Sequence, residues 1–264
     1  MFASRIEASA ERQTLCLWYA YPDDLLAEGA VEACASLMTE DERVRWQSFH
    51  FDRNRREYLA TRVLVRTALS HVLPHLPATW RFSRNAYGKP TVDPECGFSF
   101  SLSNSLGLVA CLIGESVEVG LDVESYERAQ EITELATEVF SPLELAQLEE
   151  LRGPERLDRA LSLWTLKEAY IKATGMGLSL PLQQFSFVFG GVEGVRLELD
   201  PCLGDEAARW RFCLLEHAGH RVALMTGQTK TPSLQLWEAR PLLSTPTRLA
   251  VGRQPWFPSS TESC

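Results

Sequence analysis

The segment Val119-Gly-Leu-Asp-Val-Glu124 places two carboxylates two residues apart in an otherwise apolar run. Side chains of an extended strand alternate between faces, so Gly120, Asp122 and Glu124 share one face while Val119, Leu121 and Val123 turn to a core on the other. With a rise of about 3.3 Å per residue the acids lie roughly 7 Å apart at Cα, near enough for their side chains to close on one ion. Like charges that close repel unless a cation sits between them. Two readings stand for this segment alone: a metal site, or the polar face of an exposed strand.

Leu163-Trp-Thr-Leu-Lys-Glu-Ala-Tyr-Ile-Lys172 carries a third acid. Leu163, Leu166, Tyr170 and Ala173 recur at helical spacing and predict a buried stripe. Trp164, Glu168 and Lys172 fall at i, i+4 and i+8 on the far side. Glu168 and Lys172 by themselves read as a solvated ion pair, and Trp164 on the same face points to a cleft. Tyr87-Gly-Lys-Pro90 is a tight loop that pushes Lys89 outward, as an ordinary surface turn also does. Arg55, Arg62 and Arg66 share one face of a basic helix, and the planar guanidinium suits phosphate; Arg53 and Arg56 read as solvated. Together the three carboxylates offer hard oxygen ligands suited to Mg²⁺, with cations around them suited to a polyphosphate. There is no P-loop, no GxGxxG after a strand and no His/Cys metal spacing, so a kinase- or Rossmann-type site is not indicated.

The elements that must position these residues follow from pattern and punctuation. Strands are predicted at Leu15–Ala20, Phe98–Ser103, Leu108–Ile113 and Val117–Glu124, with a turn at Ser105-Leu-Gly joining the second and third. Thr39 followed by acids opens one helix, a longer one runs from about Arg53 to Leu73, and others span Ile132–Val139, Pro142–Leu151 and Asp158–Thr174. Ser141-Pro142 is a helix entrance, and Gly175 and Gly177 end the last helix. Further strands are expected at Phe185–Phe189, Val195–Leu199, Trp210–Leu215 and Val222–Thr226. The tail after Lys230 is rich in Pro, Ser and Thr and reads as an extended wrap or a frayed end. Each half shows a long helix, a Gly/Pro loop, a Phe-Ser-Phe strand (at Phe98 and at Phe185) and a hairpin. This suggests a duplicated α+β unit, with residues 1–116 and 117–230 as subdomains and 231–264 as an extension.

The totals fit this plan. The 264 residues are 45% hydrophobic and 23% charged, with a formal net charge of −9. An acidic chain is a poor general binder of nucleic acid, so none is expected, and a phosphate-rich ligand or acidic partner would need a local basic patch. The first residues carry no apolar leader and no run is long enough for a membrane span. Seven scattered cysteines without a CxxC pair read as free thiols in a reducing compartment, which places the protein in the cytoplasm. A duplicated chain has less need of a partner subunit, so a monomer is expected.

Gly88-Lys-Pro, Phe100-Ser-Leu-Ser-Asn-Ser105, Val119-Gly-Leu-Asp-Val-Glu124, Phe140-Ser-Pro-Leu-Glu144 and Trp164-Thr-Leu-Lys-Glu-Ala-Tyr-Ile-Lys172, in this order, resemble the motifs of the Sfp-type 4′-phosphopantetheinyl transferases. The resemblance runs from about Thr39 to Phe189. It implies an α+β pseudo-dimer of two similar subdomains with the active site between them. It implies transfer of phosphopantetheine from coenzyme A to a serine of an acyl or peptidyl carrier protein, leaving 3′,5′-ADP. Fatty acid, polyketide and nonribosomal peptide synthesis all use such carriers. By the same resemblance Asp122, Glu124 and Glu168 hold Mg²⁺, and Arg62, Lys89, Ser103, Lys167 and Lys172 hold phosphates, with Arg45 joining them. Glu168 is the implied proton acceptor and Lys172 the stabiliser of charge on the reacting phosphate. Glu144 matches an acidic position of open role.

One departure stands out. The family's strand-end motif usually holds His where this chain has Asn104. Asn hydrogen-bonds phosphate but carries no positive charge, which predicts weaker or less pH-dependent coenzyme A binding. Two other classes fit parts of the pattern: a Mg²⁺-dependent phosphohydrolase using the same carboxylates with water, and a degenerate carrier or coenzyme A binder.

Overall fold

The chain's own signals set the element boundaries in the computed structural model, which describes residues 13–27, 29–190, 194–240, 247–249 and 256–258. Thr39 caps its helix: its hydroxyl accepts from Glu42 N (3.4 Å) while the Glu42 carboxylate accepts from Thr39 N (3.0 Å). Ser141 and Glu144 repeat that reciprocal cap at 3.2 and 2.9 Å, with Pro142 in the first turn. The last long helix stops at Gly175, whose φ of 69° is left-handed.

Two compact units result, one formed by residues 1–85, 90–116 and 232–252, the other by 86–89, 117–231 and 253–264. In chain order the first carries β1 (Thr14–Ala20), α1 (Pro22–Leu25), α2 (Val31–Ala35), α3 (Glu40–Gln47) and the long α4 (Asp52–Val72). The hairpins β2 (Arg81–Arg84)/β3 (Pro90–Asp93) and β4 (Phe98–Ser105)/β5 (Leu108–Glu115) follow. The second carries β6 (Val119–Ser125), α5 (Ala129–Glu134), α6 (Ala136–Val139), α7 (Pro142–Glu149) and the long α8 (Gly153–Thr174). Its hairpins are β7 (Phe185–Phe189)/β8 (Val195–Leu199) and β9 (Trp210–His217)/β10 (His220–Gly227). The tail then adds β11 (Ser233–Glu238) and β12 (Thr247–Leu249) to the first unit and β13 (Trp256–Pro258) to the second.

The units repeat one plan. The first sheet runs β12-β11-β1-β5-β4 and the second β13-β9-β10-β6. In each, the opening strand pairs antiparallel with the second strand of the last hairpin, β1 with β5 and β6 with β10. In the first unit α4 buries Leu59, Val63, Leu64, Val65 and Leu69 in a core with Trp18 and Phe100. In the second α8 buries Leu161, Leu166, Tyr170 and Ala173 with Phe185, Phe187 and Phe212. This is the duplicated α+β architecture expected from the sequence.

The expected details change in four places. The two Phe-Ser-Phe strands are not counterparts: Phe98 opens β4 in the first main sheet, whereas Phe185 opens β7 of a separate two-stranded ribbon whose positional partner is β2. The segment after Ile132 is two short helices that meet at Leu135. α8 begins at Gly153, one turn before the expected Asp158, because Pro154 serves as a first-turn residue. Of the two readings of the tail, extended wrap or frayed end, the described part follows the first and joins the first sheet, since β11 lies parallel to β1 and Trp237 stacks on Trp18 at 5.3 Å and 9°.

Candidate active site

Every residue of β6 is buried, so the exposed-strand reading of Asp122 and Glu124 does not hold. The face bearing them is turned toward α8. The reason is Gly120: a Cβ there would collide with the Ala169 carbonyl oxygen and with the backbone N and Cβ of Ala173. Glycine at the strand's start and alanines on the helix let the backbones meet, and the two acids further along are carried under the helix. β10 presents Ala223 opposite Asp122, which keeps the space beside it small-walled.

α8 turns its apolar stripe inward, with Leu163, Leu166, Tyr170 and Ala173 fully buried. Trp164, Glu168 and Lys172 are half-buried on the neighbouring face, and two of them reach the strand. Lys172 Nζ donates to Asp122 Oδ1 at 2.6 Å, and Trp164 Nε1 donates to Glu124 Oε1 at 2.9 Å. Arg128, which follows β6, donates through Nη1 to both Glu124 oxygens at 2.7 Å. The Asp122 carboxyl is raised to about 7, chiefly by burial, with Lys172 opposing and Glu124 and Glu168 adding to the rise. Burial likewise raises Glu168, with Glu124 adding to the rise and Lys172 and Arg128 opposing it.

The donors suit a hard cation in kind: carboxylates on adjoining faces of β6 and α8, in a region that already attracts two cationic side chains. In arrangement they are not a closed sphere. Among the described residues no three acids, histidines or cysteines are gathered closely enough to hold a metal ion, and Asp122 and Glu124 are each engaged by a cation.

Two expected phosphate ligands, Lys167 and Lys89, and one arginine of the basic helix face have other work in this geometry. Lys167 is fully buried beside the equally buried Glu144 at 2.7 Å and also donates to Phe185 O at 2.6 Å. Glu144 in addition accepts from Ser141 N and, at 2.8 Å, from Phe187 N. The pair ties α7, α8 and β7 together, which corrects Lys167 as a ligand and gives Glu144 its role. Lys89 Nζ donates to Val119 O at 3.1 Å and Ala173 O at 2.9 Å, joining the start of β6 to the last turn of α8. Burial holds its ammonium down at about 8, with Glu118 opposing. Arg66, counted on the basic face, is fully buried against Glu42 at 2.6 Å.

The remaining candidates lie in the first unit. The guanidinium groups of Arg45 and Arg62 both sit over the Tyr58 ring, 5.7 and 5.3 Å from its centroid, and Arg62 stands 3.7 Å from Glu42. Ser103 and Asn104 do not share a face. Asn104 has the parity of Phe98, Phe100 and Leu102 and donates to Glu57 of α4 at 3.2 Å, whereas Ser103 is buried with Ser101 and Ser105 on the other side. Sequence reading missed Arg128 and Tyr58. An Arg four residues beyond Glu124 was the available signal for the first; nothing but proximity on α4 marked the second.

Comparison with known proteins agrees across both units. A family model described as the 4′-phosphopantetheinyl transferase superfamily matches residues 118–225, and one described as 4′-phosphopantetheinyl transferase, N-terminal, matches 27–116. The chain is 31% identical over 166 residues to the 4′-phosphopantetheinyl transferase Sfp of Bacillus subtilis strain 168, covering 63% of this chain and 73% of that protein. It is 29% identical over 177 residues to the 4′-phosphopantetheinyl transferase HetI of a Nostoc species, covering 66% of this chain and 74% of that one. Among solved structures, a holo-(acyl-carrier-protein) synthase from Bacillus anthracis in complex with CoA (3′,5′-ADP) aligns with 43% of this chain and 98% of its own. The identity is 16% and the TM-score 0.37.

Proposed function

This chain belongs to the 4′-phosphopantetheinyl transferase family, and on that premise we propose that it transfers 4′-phosphopantetheine from coenzyme A to a serine of an apo acyl or peptidyl carrier protein, with Mg²⁺, releasing 3′,5′-ADP. The observation that carries this reading is the pairing of β6 with α8, which sets the buried Asp122 and Glu124 in contact with Lys172 and Trp164 of the helix that also bears Glu168.

Asp122, Glu124 and Glu168 are the oxygens that would hold Mg²⁺, whose chemistry here is neutralisation of pyrophosphate charge. The chain's own side chains supply the rest. Glu168, its proton affinity raised by burial, accepts the proton of the attacking serine. Lys172, beside Asp122 on the same face of α8 as Glu168, is the ammonium that would stabilise developing charge on phosphate oxygen. Trp164 fixes the Glu124 carboxylate through its indole N–H. Within the first unit, Arg45 and Arg62, held together over Tyr58, are a cationic pair suited to binding anionic groups. Positioning and charge neutralisation of this kind carry most of the burden in phosphoryl transfer.

The test is intact-mass analysis of a panel of apo carriers incubated with coenzyme A and enzyme, with and without Mg²⁺. The expected result is a Mg²⁺-dependent gain of one phosphopantetheine on at least one carrier. Cleavage of coenzyme A with no carrier modified would instead support hydrolysis, and no reaction would leave a binder. The carrier is expected to be acidic around its serine and to dock through local basic residues despite the net charge of −9.

A further inference from the structure

Arg128 holds both oxygens of Glu124 at 2.7 Å, and no step of the transfer uses it. It lies between two carboxylates. Its Nη1 reaches both oxygens of Glu124, which is 6% exposed, while its Nε and Nη2 reach Glu131 of α5 at 3.3 and 3.4 Å. Glu131 is an exposed acid, its side chain 60% accessible, and the Arg128 side chain is itself one-third accessible. The guanidinium therefore has one edge on a buried acid and another on a solvated one, and can leave the first without losing the second.

We propose that Arg128 is the resident counter-cation of Glu124 in the metal-free enzyme, and that metal binding displaces it onto Glu131. This rests on the reading of Glu124 as a metal ligand. A buried carboxylate left alone is costly, and Arg128 removes that cost before the metal arrives. The same contact opposes the metal, because guanidinium and cation compete for the same oxygens; the two are linked by a negative coupling free energy. Glu131 lowers the barrier to exchange by housing the displaced charge. Arg128 is thus a positioning residue that sets how much metal the enzyme requires.

Metal affinity, and not turnover, distinguishes this role from a structural one. Mn²⁺ is titrated into the purified enzyme and the free ion read from its solution EPR signal. Arg128→Gln is expected to bind Mn²⁺ at least about threefold more tightly than the wild type, although its metal-free fold is less stable to heat. Glu131→Gln is expected to bind more weakly, and by more than Glu127→Gln, which removes the same charge from an exposed acid of the same segment. Arg128→Lys, which keeps a charge but cannot span both oxygens, is expected between wild type and Arg128→Gln and serves if the glutamine variant does not fold. Glu124→Gln is expected to lose the site. If Glu124→Gln loses it while Arg128→Gln and Arg128→Lys bind no more tightly than wild type, the counter-cation role is overturned and the metal reading stands. If Glu131→Gln matches Glu127→Gln, the transfer to Glu131 is overturned. If Glu124→Gln binds as the wild type does, the metal reading itself fails.

Discussion

Lys89 and Lys167 show how a residue's neighbours decide what its charge is for. Removing one partner of a fully buried ion pair leaves an uncompensated charge, which costs about 3–5 kcal/mol. Glu144→Ala should therefore lower unfolding stability by about that amount in urea, and more than the double change to apolar residues at Glu144 and Lys167, because only the single change leaves the Lys167 ammonium buried without its counter-charge. Lys89 gives a pH signature. Its folded-state affinity for a proton is depressed to about 8 from the ordinary 10.5, so between those values the unfolded chain binds more protons and this group's contribution to stability rises with pH. Measured by thermal unfolding, the wild type should gain on Lys89→Met as the pH goes from about 7.5 to about 9.5. A constant gap would place the lysine's ammonium in water. Sequence reading could not separate Lys167 from Glu168. The two are adjacent in the chain but about 100° apart around the helix, and only packing reveals that one faces the core and the other the site.

At the scale of elements, the proposed active site rests on a contact between one strand and one helix, and Gly120 is what allows that contact. Gly120→Ala has no room, since its methyl group meets helix backbone on one side and Ala173 on the other. Overpacking of this kind costs about 1–3 kcal/mol. The larger effect is expected on transfer, because moving α8 off β6 separates Lys172 from Asp122 and Trp164 from Glu124. A variant that retains wild-type kcat would show that this contact does not position the site. Both elements were legible in the sequence: β6 from its alternation and α8 from its apolar stripe and terminal glycine. The ribbon β2/β3 was not, because its strands are four residues long and Arg81 and Arg84 are exposed, which leaves little periodic signal.

At the scale of the whole molecule, a repeated plan explains why the two units have like sheets but unlike content. Only the second keeps acids on its opening strand: β6 has Asp122 and Glu124 where β1 has Leu15 to Ala20 buried throughout. The duplication was legible in outline, but the tail was not, because a strand of half-buried residues such as Ser233–Glu238 looks like linker until its partner is known. Deleting residues from 231 onward should expose the β1 edge and remove the Trp18–Trp237 stack. Hydrogen exchange is expected to rise first in β1, with β6 and α8 less affected. Uniform protection would mean that β11 adds nothing to the sheet.

Among the carboxylates of β6 and α8, Glu168 is the one whose proposed chemistry goes beyond holding a cation. The most direct measurement is the rate of holo-carrier formation by Glu168→Gln at saturating Mg²⁺, with coenzyme A binding followed in parallel. Coenzyme A is expected still to bind in part while transfer falls by about 100-fold or more, the scale of a lost general base. Transfer at the wild-type rate by a folded Glu168→Gln enzyme would contradict that role.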